Sequence, residues 1–459
     1  MQTWLTNKWD LLKDNFLVIP LLMAAGSVAL CLTLSAVDSH VVLPREGSLS
    51  LLRSGSAEGV RSLLTALVGS LMTALSVVFS ITVVSLTLAA SQLGPRLLRN
   101  FMRDRSNQIV LGVFVSTFLY CLLTLRLVGP ANRPGQLPHL TVIGGFLLAC
   151  VALTVLVYFI HHVAMSIQAP QVITSVSKEL MSVINSSFPP VDGDEPEEAE
   201  LPEEVSSDYI TMTADWDGYL QAIDDPGLTR IATEHNVILE VMCRPGDFIT
   251  KGEPIARVYA SEDLEETPDE EIRQTFAWTH DRSHVFRGKN VSREALRQTV
   301  ILGSRRSATQ DLEFVMMQLV EIATRALSPG INDPFTAMTC IDRLGAAVCE
   351  IARRPMPSAA RMDDDGNLRV ILDQTDFAGF LSAAFNQIRQ HAEKNAAVLI
   401  RLLEVMHRIA KAVRSDEQRS AVREQAQMIR RAGERLMEPV DRQNLNERFE
   451  AVHSELQVE

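Results

Sequence analysis

The sequence predicts an α-helical membrane protein with four transmembrane helices, followed by a cytoplasmic α+β half. Two observations support this fold class. All the apolar runs of near-spanning length lie before residue 161, and the rest of the chain has the mixed polar and apolar composition of a soluble protein. A helix needs about 20 predominantly apolar residues to cross the hydrocarbon core. The expected spans are therefore residues 16–37, 62–93, 108–128 and 139–160 of a transmembrane domain at 1–165.

The second span is unusual in both length and polarity. No charged residue lies between Arg61 and Arg96, and a helix over that interval would be about 51 Å long, more than the bilayer thickness. Small and hydroxyl-bearing residues recur along one helical face, called here the hydroxyl stripe. The stripe comprises Ser62, Thr65, Gly69, Thr73, Ser76, Ser80, Thr87 and Ser91. A second, shorter polar face comprises Thr82, Ser85 and Gln92.

Two interpretations of these faces stay open. The hydroxyls, with Gln92, could line a channel-like path for an ion or small solute, which requires a homo-oligomer because four helices seldom enclose a conduit. Alternatively, the small side chains could form a helix-packing face of a membrane-anchored scaffold or sensor whose cytoplasmic half binds partners. No acidic or basic residue lies within the hydrocarbon part of the span, which disfavours a carrier built on intramembrane carboxylates.

Charge distribution predicts the topology. Arginines cluster between the second and third spans, whereas the loop expected at 38–59 carries few basic residues and several acidic ones. Under the positive-inside rule, both termini are expected to be cytoplasmic. The first apolar run is 22 residues long and no clear A-x-A site follows it, so we expect an uncleaved membrane helix rather than a signal peptide. The clustered residues are Arg96, Arg99, Arg103 and Arg105. The first three share a helical face, so the segment is either an interfacial helix that contacts the lipid bilayer or a topology signal alone.

The cytoplasmic half divides by composition into four parts. Residues 166–206 are predicted as a juxtamembrane helix and an acidic linker, since eight carboxylates between 192 and 204 cannot bury a core. Residues 207–262 alternate like short strands with Pro-Gly-Asp and Lys-Gly-Glu turns, which indicates a small β-module of barrel-sandwich type. Residues 263–350 are predicted as helical and 351–459 as a hairpin followed by two long helices, Phe377–Val413 and Gln418–Met437.

The segment SPGINDP is the most motif-like part of the soluble half. Helical periodicity from Leu296 to Ala323 precedes it, and a Pro-Gly turn leads into Asn-Asp-Pro at a helix start. The exposed amides of such a turn could bind an anion, or the Asn and Asp side chains could cap them. The residues concerned are Ser328, Gly330, Asn332 and Asp333.

No catalytic or cofactor motif is present in the sequence. It contains no phosphate-binding loop, nucleophile elbow or zinc-protease pattern, so we expect neither an enzyme nor a cofactor. His280 and His284 are spaced for one face of a helix but lack a third ligand, and His161-His162 suits a membrane edge; we predict no metal site. The net charge of -13 argues against nucleic acid. The six cysteines form no C-x-x-C pair and are expected to be reduced and structural.

Three long segments together resemble a known family. They are SVVFSITVVSLTLAASQLGPRLLRNFMRDR, VYFIHHVAMSIQAP and LVEIATRALSPGINDPFTAMTCIDRL. In this order they look like the bacterial membrane proteins grouped as the domain of unknown function 2254 family. The resemblance implies a multi-pass protein of the bacterial inner membrane with four spans and a cytoplasmic C-terminal half. It implies no catalytic residues.

Overall fold

A computed structural model describes residues 17–40, 56–93, 105–128, 138–166, 168–191, 209–260, 283–286, 289–292 and 299–457. The chain forms two compact units, Met1–Val172 and Ile173–Glu459, and each is described by itself. Helices and strands are numbered below in chain order.

The N-terminal unit contains the four long apolar helices that the sequence predicts. They are α1 (Val18–His40), α2 (Ala57–Leu93), α3 (Arg105–Leu127) and α4 (His139–Ser166). Each is long and apolar enough to cross a membrane. The 37 residues of α2 correspond to about 55 Å of helix, so α2 exceeds the hydrocarbon thickness and must tilt or project beyond it.

Helix α3 lies at the centre of this unit. Half of its membrane-spanning stretch is buried, compared with 11% of that of α2. Glycines permit close approach on two sides: a Cβ at Gly112 would lie 2.5 Å from Met23 Sδ, and one at Gly144 would lie 2.5 Å from the Tyr120 hydroxyl. Since lipid supplies no hydrophobic drive between helices, such close packing is what holds α3 to α1 and α4.

Helix α5 (Ala169–Ser187) follows α4 as a separate element, because Pro170 cannot continue a helix and sits in the first turn of the next one. It is amphipathic. Its buried residues Ile173, Val176, Leu180, Val183 and Ile184 all belong to the C-terminal unit. Just after it, the ring of Phe188 packs against Phe380 with centroids 5.9 Å apart.

Strands from three distant parts of the chain build the sheets of the C-terminal unit. The strands are β1 (Tyr209–Thr213), β2 (Gly218–Ile223), β3 (Val237–Val241), β4 (Phe248–Ile249), β5 (Pro254–Ala260), β6 (Ser283–Phe286), β7 (Lys289–Ser292), β8 (Val300–Gly303), β9 (Ala360–Met362) and β10 (Leu368–Leu372). The sheet orders are β1-β5-β3-β10-β9, β4-β2-β8 and β6-β7. Only the β3–β10 pair is parallel; the other described pairs are antiparallel.

The β-module therefore differs from the arrangement expected at 207–262. Strands β8 and β10 lie well beyond residue 262 and complete its two sheets. Helix α6 (Asp225–His235) also interrupts the strand pattern between β2 and β3. Pro226 occupies its first turn, and Asn236 ends it in the left-handed conformation at φ 48°. The core beneath the sheets is a single apolar cluster that includes Leu220, Leu239 and Val370.

Six further helices lie in the part of the C-terminal unit that the structure describes. They are α7 (Leu312–Ala326), α8 (Pro334–Arg353), α9 (Phe377–His391), α10 (Ala396–Ala410), α11 (Asp416–Gly433) and α12 (Pro439–Glu455). The predicted helix over Phe377–Val413 is wrong in one respect: Asn395 caps a new helix by accepting from Val398 N at 3.2 Å, so the segment is two helices. Val300 and Ile301, expected in a helix, lie in β8. The predicted hairpin before α9 is confirmed as β9–β10.

The turn of that hairpin depends on one buried ion pair. Asp363 accepts from Arg369 Nε at 2.7 Å and from Asn367 N at 2.8 Å, and both charged side chains are at least nine-tenths buried. The Arg369 guanidinium and the Asn367 amide lower the pKa of Asp363 to about 2. A carboxylate whose folded pKa lies below its unfolded value stabilises the fold at neutral pH and loses that contribution as pH falls.

Asp363→Asn is expected to lower the thermal midpoint by a constant amount between pH 5 and 7. The difference from the wild type should shrink below about pH 4 and approach zero as the pH nears 2, because the wild-type carboxylate is then protonated too. Circular dichroism melts over this range provide the measurement. Asp364→Asn removes the same charge from the same turn and serves as the control. A wild-type advantage that persists unchanged at pH 2.5 would refute the role assigned to the pair.

Candidate functional site

Helix α2 packs against the rest of the N-terminal unit along one narrow seam. Among its described side chains, the buried positions recur mostly at intervals of seven residues. They are Val60, Leu64, Leu71, Val78 and Ser85. Leu71 and Val78 share an apolar cluster with Phe114 and Cys121 of α3 and with Ala152 and Phe159 of α4. The seam therefore fixes which side of α2 faces inward.

The hydroxyl stripe lies on the opposite side of α2. At about 100° per residue, its mean direction is about 180° from that of the buried seam. Each of its eight residues is exposed on the single chain, and no described helix of the unit covers it. Val83 and Val84 occupy the interval between Ser80 and Thr87, and they too are exposed. The stripe therefore runs about 44 Å along the outer side of the unit.

Five of the seven hydroxyls of the stripe are satisfied by their own helix. Thr65, Thr73, Ser76, Thr87 and Ser91 donate to carbonyl oxygens three or four residues earlier, at 2.8–3.1 Å. These bonds remove the cost of leaving a hydroxyl unpaired in an apolar medium. Each oxygen keeps acceptor capacity for a solute, a water molecule or a donor on another helix.

The second polar face has a different environment. Thr82 is half-buried and donates to Val78 O at 2.8 Å, and Ser85 is 3% exposed on the packed seam. The side chain of Gln92 lies outside the described residues. This face therefore belongs to the contact of α2 with its own unit, whereas the stripe is turned away from it.

The basic segment is described only in part. Arg96, Arg99 and Arg103 lie outside the described residues. Arg105 is the first residue of α3, and it is exposed. The Tyr158 ring of α4 stacks on His162 with centroids 5.5 Å apart, and the Tyr158 hydroxyl donates to Ser106 Oγ at 3.5 Å. His162, one residue of the predicted His161-His162 pair, is thus held by the stacked Tyr158 ring.

An inter-helix cap was not anticipated from the sequence. Asp38, in the last turn of α1, accepts from Leu140 N and Thr141 N at 2.9 Å each and from the Thr141 hydroxyl at 2.8 Å. It therefore satisfies the free amides at the start of α4 from a different helix. The Tyr120 hydroxyl of α3 donates to Thr141 O at 2.9 Å. The sequence shows only an acidic residue at the end of an apolar run, and such a residue looks like an ordinary loop residue.

Two buried polar side chains of α3 have no hydrogen-bond partner among the described residues. Asn107 is 3% exposed and Thr117 is fully buried, and neither the Asn107 amide nor the Thr117 hydroxyl makes a bond. The heptad that places Phe114 and Cys121 in the core also includes Asn107. Ser85 continues the heptad of Leu71 and Val78 on α2. The packed surface between α2 and α3 thus changes from apolar to polar toward the first turns of α3.

In the SPGINDP turn, the amide groups bond within the turn or back to the end of α7. Asn332 N donates to Ser328 O at 2.9 Å and Asp333 N to Ala326 O at 2.7 Å. The Asp333 carboxylate accepts from Thr336 N at 3.1 Å and from its hydroxyl at 2.6 Å, which lowers the pKa of Asp333. Asn332 adopts φ 51°, while a Cβ at Gly330 would meet nothing within 4 Å. The cap thus occupies the amides that an anion would need.

The histidine and cysteine predictions have mixed outcomes. His284 lies in strand β6 and not in a helix, so the prediction that His280 and His284 share one face of a helix is wrong for His284. His280 lies outside the described residues. Within the described ranges, no group of three His, Cys, Asp or Glu side chains is placed to hold a metal. All six cysteines are free, and burial raises the pKa of both Cys243 and Cys340 to about 12, so these two are unreactive thiols.

Sequence comparison places the chain in a family. The model of a family described as a predicted membrane protein, domain of unknown function 2254, matches residues 13–408. The chain belongs to this family.

Relatives cover most of the chain. Uncharacterized proteins of Mycobacterium bovis and Mycobacterium tuberculosis are 30% identical over 429 residues, which is 93% of this chain and 77% of each relative. No solved structure matches significantly. The family resemblance drawn from the three sequence segments is therefore confirmed. Neither the family description nor the printed names of these relatives assign an activity.

Proposed function

We propose that the protein is a homo-oligomer of the bacterial inner membrane whose α2 helices surround a shared axis and form a channel-like pore for ions or small solutes. One observation carries this proposal: the hydroxyl stripe is turned about 180° from the seam that binds α2 to its own unit. Every residue of the stripe is exposed on a single chain. If copies of the protein assemble with this side of α2 turned inward, each stripe faces the shared axis.

The chemistry of the stripe suits a neutral polar path. Its hydroxyl oxygens can still accept hydrogen bonds or contact a cation after donating to the helix, and no charge lies between Arg61 and Arg96 to repel either sign of ion. The length of α2, about 55 Å, exceeds the membrane core and would extend the path beyond it. By the positive-inside rule, the cluster from Arg96 to Arg105 favours cytoplasmic termini and a C-terminal unit that acts as a vestibule or regulator.

Flux through proteoliposomes tests the pore. Ser76→Leu and Ser80→Leu are each expected to lower the flux of ions or small solutes about tenfold or more, because a leucine at the axis narrows and dewets the path. Val77→Leu is the matched control: Val77 is exposed but points about 100° away from Ser76. This control should stay within twofold of the wild type. Flux that is absent from the wild type, or equal in all variants, would eliminate the pore.

The self-bonded hydroxyls favour a second candidate function. Because Thr73 and Ser76 already donate to Gly69 O and Met72 O, the stripe needs no water and can pack directly on a second helix. Gly69 and Thr73 are four residues apart, the spacing of small residues that lets helix backbones approach closely. The protein would then be a membrane-anchored scaffold or sensor. Oligomers that dissociate on Ser80→Leu, with no flux in the wild type, would favour this candidate.

A further inference from the structure

The contact between α2 and α3 has a regular register. The start of α2 packs with the end of α3, because Leu64 shares a buried cluster with Val128, the residue just after α3. The two helices therefore run antiparallel. Steps of seven residues from this level, forward along α2 and backward along α3, reach further buried positions that share one apolar cluster. These are Leu71 with Cys121 and Val78 with Phe114.

The next step of seven residues reaches a polar side chain on each helix. Ser85 of α2 and Asn107 of α3 are each 3% exposed, so both belong to the packed surface between the helices. The register brings them to the same level. The contact is thus apolar from Leu64 to Val78 and polar at Ser85, near the end where residues 94–104 join the two helices.

The carboxamide of Asn107 has unmet hydrogen bonds. Its Oδ1 and Nδ2 are both buried, and neither has a partner among the described residues. A carboxamide contains two donors and an acceptor, and leaving these groups unpaired in an apolar surrounding is costly. A metal cation alone could not accept from Nδ2, and a halide ion alone could not donate to Oδ1. The ligand of Asn107 must therefore both donate and accept.

The side chains at this level leave room for a small ligand of that kind. Serine and asparagine occupy less volume than Val78 and Phe114 at the preceding level, so an unchanged helix separation leaves space between them. Buried water typically makes about three hydrogen bonds to polar groups that otherwise lack partners. The Ser85 hydroxyl can supply a further donor or acceptor.

We propose that Asn107, together with Ser85, binds ordered water between α2 and α3. A water molecule can donate to Asn107 Oδ1, and a water molecule can accept from Asn107 Nδ2. The contact between the two helices is then hydrated at this level and dry at the apolar levels beyond it. The site is independent of the pore proposed above, since Ser85 lies on the side of α2 that packs against its own unit.

Proton exchange of an introduced thiol tests for this water. Ser85→Cys and Val78→Cys each place one new thiol in the full chain, at positions that are 3% and 2% exposed. After transfer of the detergent-solubilised protein into deuterium oxide, the infrared S–H stretch is followed as a difference from the wild type, whose six cysteines supply the background. A thiol beside bound water exchanges without separation of the helices, so we expect exchange at least about tenfold faster in Ser85→Cys than in Val78→Cys.

Variants of Asn107 distinguish bound water from mere nearness to the end of the helices. In the Ser85→Cys chain, Asn107→Leu removes the carboxamide, and exchange should slow to within about twofold of Val78→Cys. Asn107→Ser keeps a hydrogen-bonding group and should retain the fast exchange. Asn107→Val repeats the test if Asn107→Leu lowers the thermal midpoint. Equal exchange in Ser85→Cys and Val78→Cys, or fast exchange that persists in Asn107→Leu and Asn107→Val, would overturn the proposal.

Discussion

Asp38→Ala is expected to destabilise the N-terminal unit by about 2–4 kcal/mol, because it removes an ionised acceptor of three hydrogen bonds from the start of α4. The amides of Leu140 and Thr141 then lose the carboxylate that they reach at 2.9 Å. They lie near the end of a membrane helix, where water is scarce and replacement partners are few. Titration of the purified protein with sodium dodecyl sulfate in mixed micelles, followed by circular dichroism, measures the loss.

Two variants separate the cap from general effects at this end of α1. Asp38→Asn keeps one acceptor oxygen without the charge, and we expect it to lose about half as much stability as Asp38→Ala. Ser39→Ala changes the next residue, whose exposed hydroxyl donates only to its own helix at Ala36 O, and should change stability by less than about 0.5 kcal/mol. Equal losses for Asp38→Ala and Ser39→Ala would show that the bonds to α4 contribute little.

In the C-terminal unit, Asp311→Ala should cost about 3–4 kcal/mol. Asp311 is 2% exposed and receives Arg306 in a two-pronged contact, with Nε–Oδ2 at 2.7 Å and Nη2–Oδ1 at 2.8 Å. It also caps α7 by accepting from Phe314 N at 2.8 Å. Alanine would leave the half-buried Arg306 charge unpaired and the amide unsatisfied at once, and breaking one partner of a buried pair is costly.

Asp376→Ala is the comparison that isolates the ion pair. Asp376 caps α9 by accepting from Gly379 N at 2.7 Å, and no arginine contacts it among the described residues. We expect its loss to cost about 1 kcal/mol, the usual value of an N-cap. Urea titrations followed by circular dichroism compare the two variants. If Asp311→Ala and Asp376→Ala shift the midpoint equally, the Arg306 contact adds nothing to the cap.

The sequence was informative where structure follows from local chemistry. Four helices could be predicted because a membrane span needs a long apolar run. The cap at Asp333 could be foreseen because Asn-Asp-Pro after Pro-Gly is a local start signal. The hydroxyl stripe could also be recognised from helical periodicity. That periodicity alone could not reveal which face of α2 turns inward, since this depends on the side chains of α3 and α4.

Contacts between residues that are far apart in the chain could not be predicted from the sequence. Strand β10 pairs in parallel with β3, with Val370 opposite Leu239, and no local pattern connects two segments so far apart in the chain. The cap from Asp38 to Thr141 joins helices that are similarly separated.

The single seam of α2 affects how its residues can vary. Leu71, Val78 and Ser85 are constrained by their own unit, so changes there alter the fold of the chain. Thr73 and Ser76 are exposed on the single chain, and their hydroxyls bond to carbonyl oxygens of α2 itself, so the packing of the unit places little demand on their identity. The composition of the stripe is therefore determined mainly by what surrounds the four-helix unit. Residues of the stripe can be substituted to probe those surroundings without disturbing the fold.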